Sequence, residues 1–384
     1  MTYSYVVTDQ RKKALMDEFF ETVTVRPKVT KMLMFEEIFK RAATKGRKKS
    51  MYRIGKHPNS HMRRGGGRFK HTDKNSTPDM FVDAHSSDAP LEFRRAAHAF
   101  KHGGASQAGV ELDKRARSDA EHQKVMTELL NTKNPKANGM TLAEALAAQK
   151  GKSSTHHILE AGRHRYHKKK IDETMDNEHR RLKKWGINKP AAKREAHLVI
   201  GLPGAGKSTL SDVLQRQHKA LLLDSDEIKQ RLDGFDNGLG AGVVHEESSM
   251  LSKFMKQQTL KKGLNFVMPV VGGNPHKLTK AVKELQKNGY KVTVHHVDVP
   301  PKFAEERVVR RYLHKTRAVP LSAVTDAGTK TRTSFDTVRS TVNGWAAYTA
   351  HDVPGGGPIR YAVLGTKGYK LPKTNMRNKK FKGE

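Results

Sequence analysis

The sequence contains no cysteine. That absence excludes disulfides, thiolate metal sites and cysteine nucleophiles, and it is compatible with a reducing compartment. Acidic residues are scarce beside basic ones: 39 Asp and Glu stand against 73 Lys and Arg, a formal net charge of +34. An excess of that size goes beyond what solubility requires and points to polyanionic partners or surfaces. It is spread along the chain, with 42 basic and 23 acidic residues in 1–200 and 31 and 16 in 201–384. Hydrophobic residues make up only 35% and aromatic ones 7% of the 384 residues, so one well-packed core is expected rather than two. No apolar run approaches the roughly 18–20 residues of a membrane span, and none has the pattern of a signal peptide. The chain is therefore expected to be soluble and cytoplasmic.

What is present divides into two textures. Residues 1–190 read as a basic, mainly α-helical and partly disordered region. Helical periodicity runs through 11–45, split by Pro27, and recurs at 91–102, 119–130, 141–150 and in a polar run from His156 to Trp185. The stretch 41–70 holds 11 basic residues and no acidic ones, with Tyr52 and Phe69 as its aromatics. It is expected to be a linker, or a loop that contacts nucleic acid electrostatically and without regard to sequence. His156, His157, His164 and His167 lie beside a run of lysines and read as a solvated face rather than a metal site.

From Ala191 to about residue 370, short β-like runs alternate with helical stretches at the spacing of βαβ units. Strands are expected at 197–200, 220–224, 264–271 and 290–299, with a fifth at 359–364. Helices are expected at 207–217, 245–262, 277–288, 302–314 and 334–350. Strands rich in Val, Leu and Ile without alternation predict a P-loop kinase-like parallel sheet with helices on both faces. A basic tail, 371–384, follows.

The motif that carries chemistry is GLPGAGKST, residues 201–209, between an expected strand and an expected helix. In that context Gly201, Gly204, Ala205 and Gly206 let backbone N–H groups turn toward phosphates, and Lys207 reaches the β and γ oxygens. The Ser208 hydroxyl can ligate Mg²⁺, with Thr209 beside it. Phosphoryl transfer to a hydroxyl also needs a carboxylate at the acceptor. LLLDSDEIKQRL offers Asp224 and Asp226, which strand alternation would aim to one side at the C-terminal end of the sheet, with Asp224 a second Mg²⁺ ligand. Asp226 could equally cap the helix expected at Glu227, and the two roles are compatible.

GLPGAGKST, LLLDSDEIKQRL, GAGVVHEESSMLSK, KKGLNFVMPVVGG, VDVPPKFAEERVVRRYLHKTRAVP and RTSFDTVRS, in this order, resemble the zeta-toxin family of P-loop kinases over about residues 193–365. The resemblance implies transfer of a phosphoryl group from ATP or GTP, with Mg²⁺, to a sugar hydroxyl of a nucleotide sugar such as UDP-N-acetylglucosamine. It implies Lys207 for the phosphates, Asp226 as base and Arg317 as a transition-state arginine, with Arg332 the best candidate for a second one. It departs from the family at Pro269, where an acidic residue would help shape the substrate site, and that bears on the acceptor rather than on the chemistry. Glu246 and Glu247 are candidate substitutes, or simply favourable to a helix dipole. Arg307, Arg310 and Arg311 could close over the nucleotide as a lid, or form a solvated basic face.

Two alternatives stand beside the nucleotide-sugar kinase. One is a polynucleotide 5′-hydroxyl kinase, with the basic surface as substrate track. The other is a nucleic-acid-binding or phage-particle-associated interaction protein whose nucleotide fold is secondary. The charge also suits an acidic protein partner.

Overall fold

The apolar runs after residue 190 build a mixed α/β fold around a seven-stranded, mostly parallel sheet flanked by helices. The computed structural model describes residues 80–87, 89–154, 163–353 and 357–371. All lie in one of two compact units, Asp73–Glu384; the other, Met1–Thr72, is outside the described residues. So are the expectations for 11–45 and 41–70, His156 and His157, and nearly all of the basic tail.

The first elements are β1 (Phe81–Asp83), α1 (Leu91–Asp113), α2 (Asp119–Asn131), α3 (Leu142–Ala147) and α4 (Arg163–Lys184). Next come β2 (Glu195–Ile200), α5 (Lys207–His218), β3 (Leu221–Leu222), α6 (Ser225–Lys229), α7 (His245–Lys261) and β4 (Phe266–Val270). Then follow α8 (Pro275–Lys287), β5 (Lys291–Asp298), α9 (Pro301–Lys315), α10 (Ser322–Thr325), α11 (Lys330–Val338), β6 (Gly344–Val353) and β7 (Gly357–Lys367). The spatial order is β1-β7-β6-β5-β2-β4-β3, parallel throughout except for the antiparallel β6–β7 pair. β2 therefore sits inside the sheet, and the glycine loop leaves from its centre.

Pro269 lies past the end of the β3–β4 ladder. Leu223 N donates to Val267 O at 2.8 Å, so the odd residues of β4 turn their backbone toward β3. β3 pairs only as far as Leu222 with Val267, and Pro269, with no N–H to donate, stands where that pairing has stopped.

The sequence-based expectation for 334–350 is corrected here: α11 ends at Val338 and β6 begins at Gly344. The alanines of GWAAYTA suggest a helix. Asn343 interrupts it, its Oδ1 accepting from Val292 N at 2.9 Å, and Ala346, Ala347, Tyr348 and Thr349 are then buried on both faces of the sheet. Small side chains suit an inner strand covered on both sides, and tertiary packing overrides propensity. The fifth expected strand is present as β7, but it runs antiparallel to its neighbour β6. β1, three residues long, adds to β7 from well before the βαβ segment.

The helices that precede residue 190 pack on the sheet and on α9. α1 breaks at Gly104, whose φ of 72° favours glycine, and a Cβ there would lie 2.3 Å from Asp336 Oδ1. The helix restarts under a cap supplied by α11: Asp336 accepts from Ala105 N at 2.9 Å and Ser106 N at 3.0 Å. Met126, Ala137, Leu142 and Ala145 bury against Val309 and Tyr312 of α9. Asn134, fully buried, donates to Tyr312 O at 2.6 Å, and Tyr312 Oη donates to Met140 O at 2.8 Å. Arg117 pairs with Glu306 at 2.7 Å and His122 with Glu305 at 2.9 Å. The helix that carries Arg307, Arg310 and Arg311 is thus clamped by residues 117–147.

Candidate active site

β2 delivers the chain into the loop Gly201–Gly206, and α5 opens immediately at Lys207 with Gly206 as its N-cap. Gly204 has φ 83°, and a Cβ there would sit 2.6 Å from the carbonyl of Ala304 in the first turn of α9. Only glycine lets the loop approach α9 so closely. From the other side Tyr361 of β7, buried, donates to Gly206 O at 2.7 Å. Lys207 Nζ donates to Gly201 O and Leu202 O, both at 2.8 Å. Burial pushes its pKa down to about 8, against the pull of Asp224. Ala205 is buried, Thr209 half-buried and Ser208 exposed at the first turn of α5. Gly204→Ala is expected to lower stability by about 1–3 kcal/mol through forced backbone strain and to weaken nucleotide binding, as read by thermal melting and nucleotide titration.

β3 stops at Leu222, so Asp224 and Asp226 are brought together by a cap turn rather than by strand alternation. Asp224 is the N-cap of α6, its Oδ1 accepting from Asp226 N at 2.9 Å. Asp226 is therefore in the first turn and is not the cap. Burial, reinforced by Asp226, pushes the Asp224 pKa up to about 6. Burial acts on Asp226 in the same direction, but the Arg317 guanidinium and the Lys229 ammonium outweigh it and hold this carboxyl below the usual range. Arg317 Nη2 contacts Asp226 Oδ2, and Lys229 Nζ lies 3.2 Å from Oδ1. Arg311 stands close to the same group: burial, then Arg317, bring its pKa down to about 10. Its Nε is buried without a hydrogen-bond partner among the described residues. One cluster thus joins Lys207, Arg311 and Arg317 with Asp224 and Asp226 at the mouth of the glycine loop.

Residues 179–348 match the zeta toxin family. They are a zeta-toxin domain. The match runs from within α4 to within β6 and includes the glycine loop, both aspartates, and Arg311 and Arg317. It supports a nucleotide-dependent phosphotransferase of the P-loop kinase kind. Among solved structures, one from the PezAT chromosomal toxin–antitoxin system of Streptococcus pneumoniae is 16% identical, with a TM-score of 0.36 over 46% of this chain and 78% of that one. The AvrRxo1-ORF1:-ORF2 complex with ATP is 14% identical, with a TM-score of 0.40 over 52% of this chain and 66% of that one. Among curated proteins none matches.

The zeta-toxin domain does not gather every residue singled out from sequence. Arg332 is buried, its Nε donating to Asp298 Oδ2 at 2.9 Å and its two Nη groups to Asp113 at 2.7 and 2.8 Å. It ties α1 and α11 to β5, and all of these contacts are with protein carboxylates. Arg310 is exposed, whereas Arg307 donates to Gly204 O at 3.4 Å. Glu246 is exposed. Glu247 is fully buried and accepts from Arg163 Nη2 at 3.0 Å and pairs with His167 Nε2 at 2.7 Å, which fastens α4 to α7. His167 is accordingly not on a solvated face, although His164 is exposed. Lys229 was not singled out, yet it stands three residues after Asp226 on α6, a spacing that brings side chains together.

For a divalent cation the zeta-toxin domain offers the Ser208 hydroxyl and the Asp224 carboxylate. Both are hard oxygen donors of the kind Mg²⁺ takes. Burial first, and Asp226 second, push the Asp224 pKa up to about 6, and a cation bound beside it would favour the ionised form. These residues fit the ion. Among the described residues no helix is long and apolar enough to cross a membrane.

Proposed function

We propose that this chain transfers the γ-phosphoryl group of ATP or GTP to a hydroxyl of a nucleotide sugar, with UDP-N-acetylglucosamine the first acceptor to test. The observation that carries the reading is the pairing of Asp226 with Arg317 beside Lys207 and Arg311 at the loop. Phosphoryl transfer spreads negative charge over the oxygens in flight, and catalysis is largely positioning and charge stabilisation. Lys207 would exchange its two loop carbonyls for β and γ oxygens. Arg317 would hand Asp226 to the acceptor hydroxyl and turn its guanidinium to the moving phosphoryl group. Arg311, whose Nε has no hydrogen-bond partner among the described residues, takes the place of second arginine in this reading, Arg332 being engaged by Asp298 and Asp113. Mg²⁺, held by Ser208 and Asp224, would neutralise charge on the β and γ oxygens. Asp226, kept ionised by Arg317 and Lys229, accepts the hydroxyl proton as the oxygen attacks.

A polynucleotide 5′-hydroxyl as acceptor is the second reading, favoured by the net charge of +34. Both are tested by incubating the purified full chain with ATP labelled in the γ-phosphate and Mg²⁺, together with nucleotide sugars or 5′-hydroxyl oligonucleotides. Label is expected on the nucleotide sugar. Label on oligonucleotide alone selects the second reading, and label on neither overturns both.

A further inference from the structure

At the end of β2 and α5 remote from the glycine loop lies a second cluster of titratable groups that phosphoryl transfer does not use. Glu195 and His197 stand at the start of β2, and His218 is the last residue of α5. One ligand atom from each lies within 4.8 Å of the others. We propose that Glu195, His197 and His218 bind a divalent transition-metal ion, with Zn²⁺ the best match to two imidazoles and a carboxylate.

The hydrogen bonds set both imidazoles for this. His218 Nδ1 lies 3.1 Å from Glu195 Oε2. A carboxylate only accepts, so without an ion the neutral ring keeps a proton on Nδ1 between the two; a metal ion takes the place of that proton, held by His218 through Nδ1 and by Glu195 through its carboxylate. His197 Nδ1 lies 3.1 Å from His295 Nε2, and His295 Nδ1 lies 3.3 Å from Tyr348 Oη. With His197 donating to His295 and His295 donating to Tyr348, the lone pair of His197 is on Nε2. That Nε2 is buried and has no hydrogen-bond partner among the described residues. A buried nitrogen without a partner is what native interiors avoid, and the ring that carries it has its centroid 3.8 Å from that of His218. A cation held by His197 Nε2, His218 Nδ1 and Glu195 satisfies it. Burial holds the two rings in their neutral, ligating form.

The surroundings have the form of an outer ligand shell. Metal-bound histidines hand their second nitrogen to a carboxylate or another acceptor, as His197 does to His295. Asn265 donates to Glu195 Oε2 and to His218 O, both at 3.1 Å, and so sets the two elements against each other. Tyr369 packs its ring on His295 and His218. Glu195 and His218 keep side-chain exposures of 29% and 17%, which leaves an entry path. Around one tetrahedral zinc ion with bonds of about 2.1 Å, ligand atoms are about 3.4 Å apart. The side chains therefore close by up to roughly 1.4 Å on loading. Three protein ligands leave a fourth position for water. The ion would brace β2 to α5, the two elements whose other ends hold the glycine loop.

The test uses the full chain, stripped with chelator and then titrated with Zn²⁺ and, for its visible spectrum, Co²⁺. One equivalent of zinc is expected to survive gel filtration, and Co²⁺ is expected to give the intense visible bands of a four-coordinate site. His218→Ala, at a helix end where folding tolerates it, is expected to weaken Zn²⁺ binding at least tenfold and abolish the bands. The double variant His98→Ala/His102→Ala removes an exposed histidine pair on α1, with ring centroids 4.6 Å apart, and is expected to change neither. Three results overturn the proposal: no retained zinc in the unmodified chain, retention unchanged in His218→Ala, or loss in the α1 variant.

Discussion

An Asp226→Asn variant is expected to bind ATP and to lose roughly two to four orders of magnitude in phosphoryl transfer. Asparagine keeps the volume of the side chain and can still accept from one of its two cations, but it cannot take the acceptor proton. Because Asp224, and not Asp226, caps α6, the substitution leaves the helix start intact. It does remove the negative partner of Lys229, which is only 7% exposed, and a stability loss of about 1–3 kcal/mol follows from that unpaired buried group. Thermal melting, equilibrium nucleotide binding and single-turnover transfer separate these effects. Binding retained with transfer lost identifies the base. Transfer within a few-fold of the unmodified protein refutes the role of Asp226 while leaving that of Lys207 standing.

The loop was legible in the sequence because its glycines answer to backbone geometry that few other residues can adopt, and Gly204 is the example, with the carbonyl of Ala304 where a Cβ would be. The inner strands β2, β4 and β5 were legible for a related reason. Strands covered on both faces are rich in β-branched apolar residues, and Lys291–Asp298, buried from its second residue onward, carries Val292, Val294 and Val297 even though it also buries Thr293, two histidines and Asp298. β6 was not legible, since alanine carries no strand signal until both faces of the sheet are known to be covered. Arg332 could not be placed either: its partner Asp113 is 219 positions away, and nothing local distinguishes a buried arginine from a catalytic one. The same limit hid the grouping of His197 with His218, which lie on different elements and meet only because α5 returns antiparallel to β2.

Arg332, which the resemblance offers as a second transition-state arginine, is held between Asp298 and Asp113, and its removal is expected to be the largest single loss of stability. Asp298 is fully enclosed, and burial pushes its pKa up to about 6 even with the Arg332 guanidinium against it. At neutral pH it is nonetheless mostly ionised, balanced by that one cation, while the far side of the guanidinium is satisfied by the half-exposed Asp113. Arg332→Met keeps the apolar stem and strands the Asp298 charge, and breaking a buried pair from one side typically removes about 3–5 kcal/mol. The pH dependence has a definite sign. A carboxyl whose pKa in the folded state lies above its unfolded value binds more protons folded than unfolded. Its destabilising effect therefore grows as pH rises through the folded pKa and fades on acidification toward the unfolded value of about 4. Losing Arg332 raises the folded pKa further, so the variant is expected to lie furthest below the unmodified protein at pH 7 and above, and to recover part of the gap near pH 5. Adding Asp298→Asn to Arg332→Met removes the stranded charge and is expected to restore most of the stability at neutral pH. Urea unfolding of the single and double variants at both pH values measures this, and phosphoryl transfer by the stabilised double variant tests the placement of Arg332 directly. Transfer that survives in the double variant confines Arg332 to the scaffold. Transfer abolished in a well-folded double variant would return it to the catalytic set.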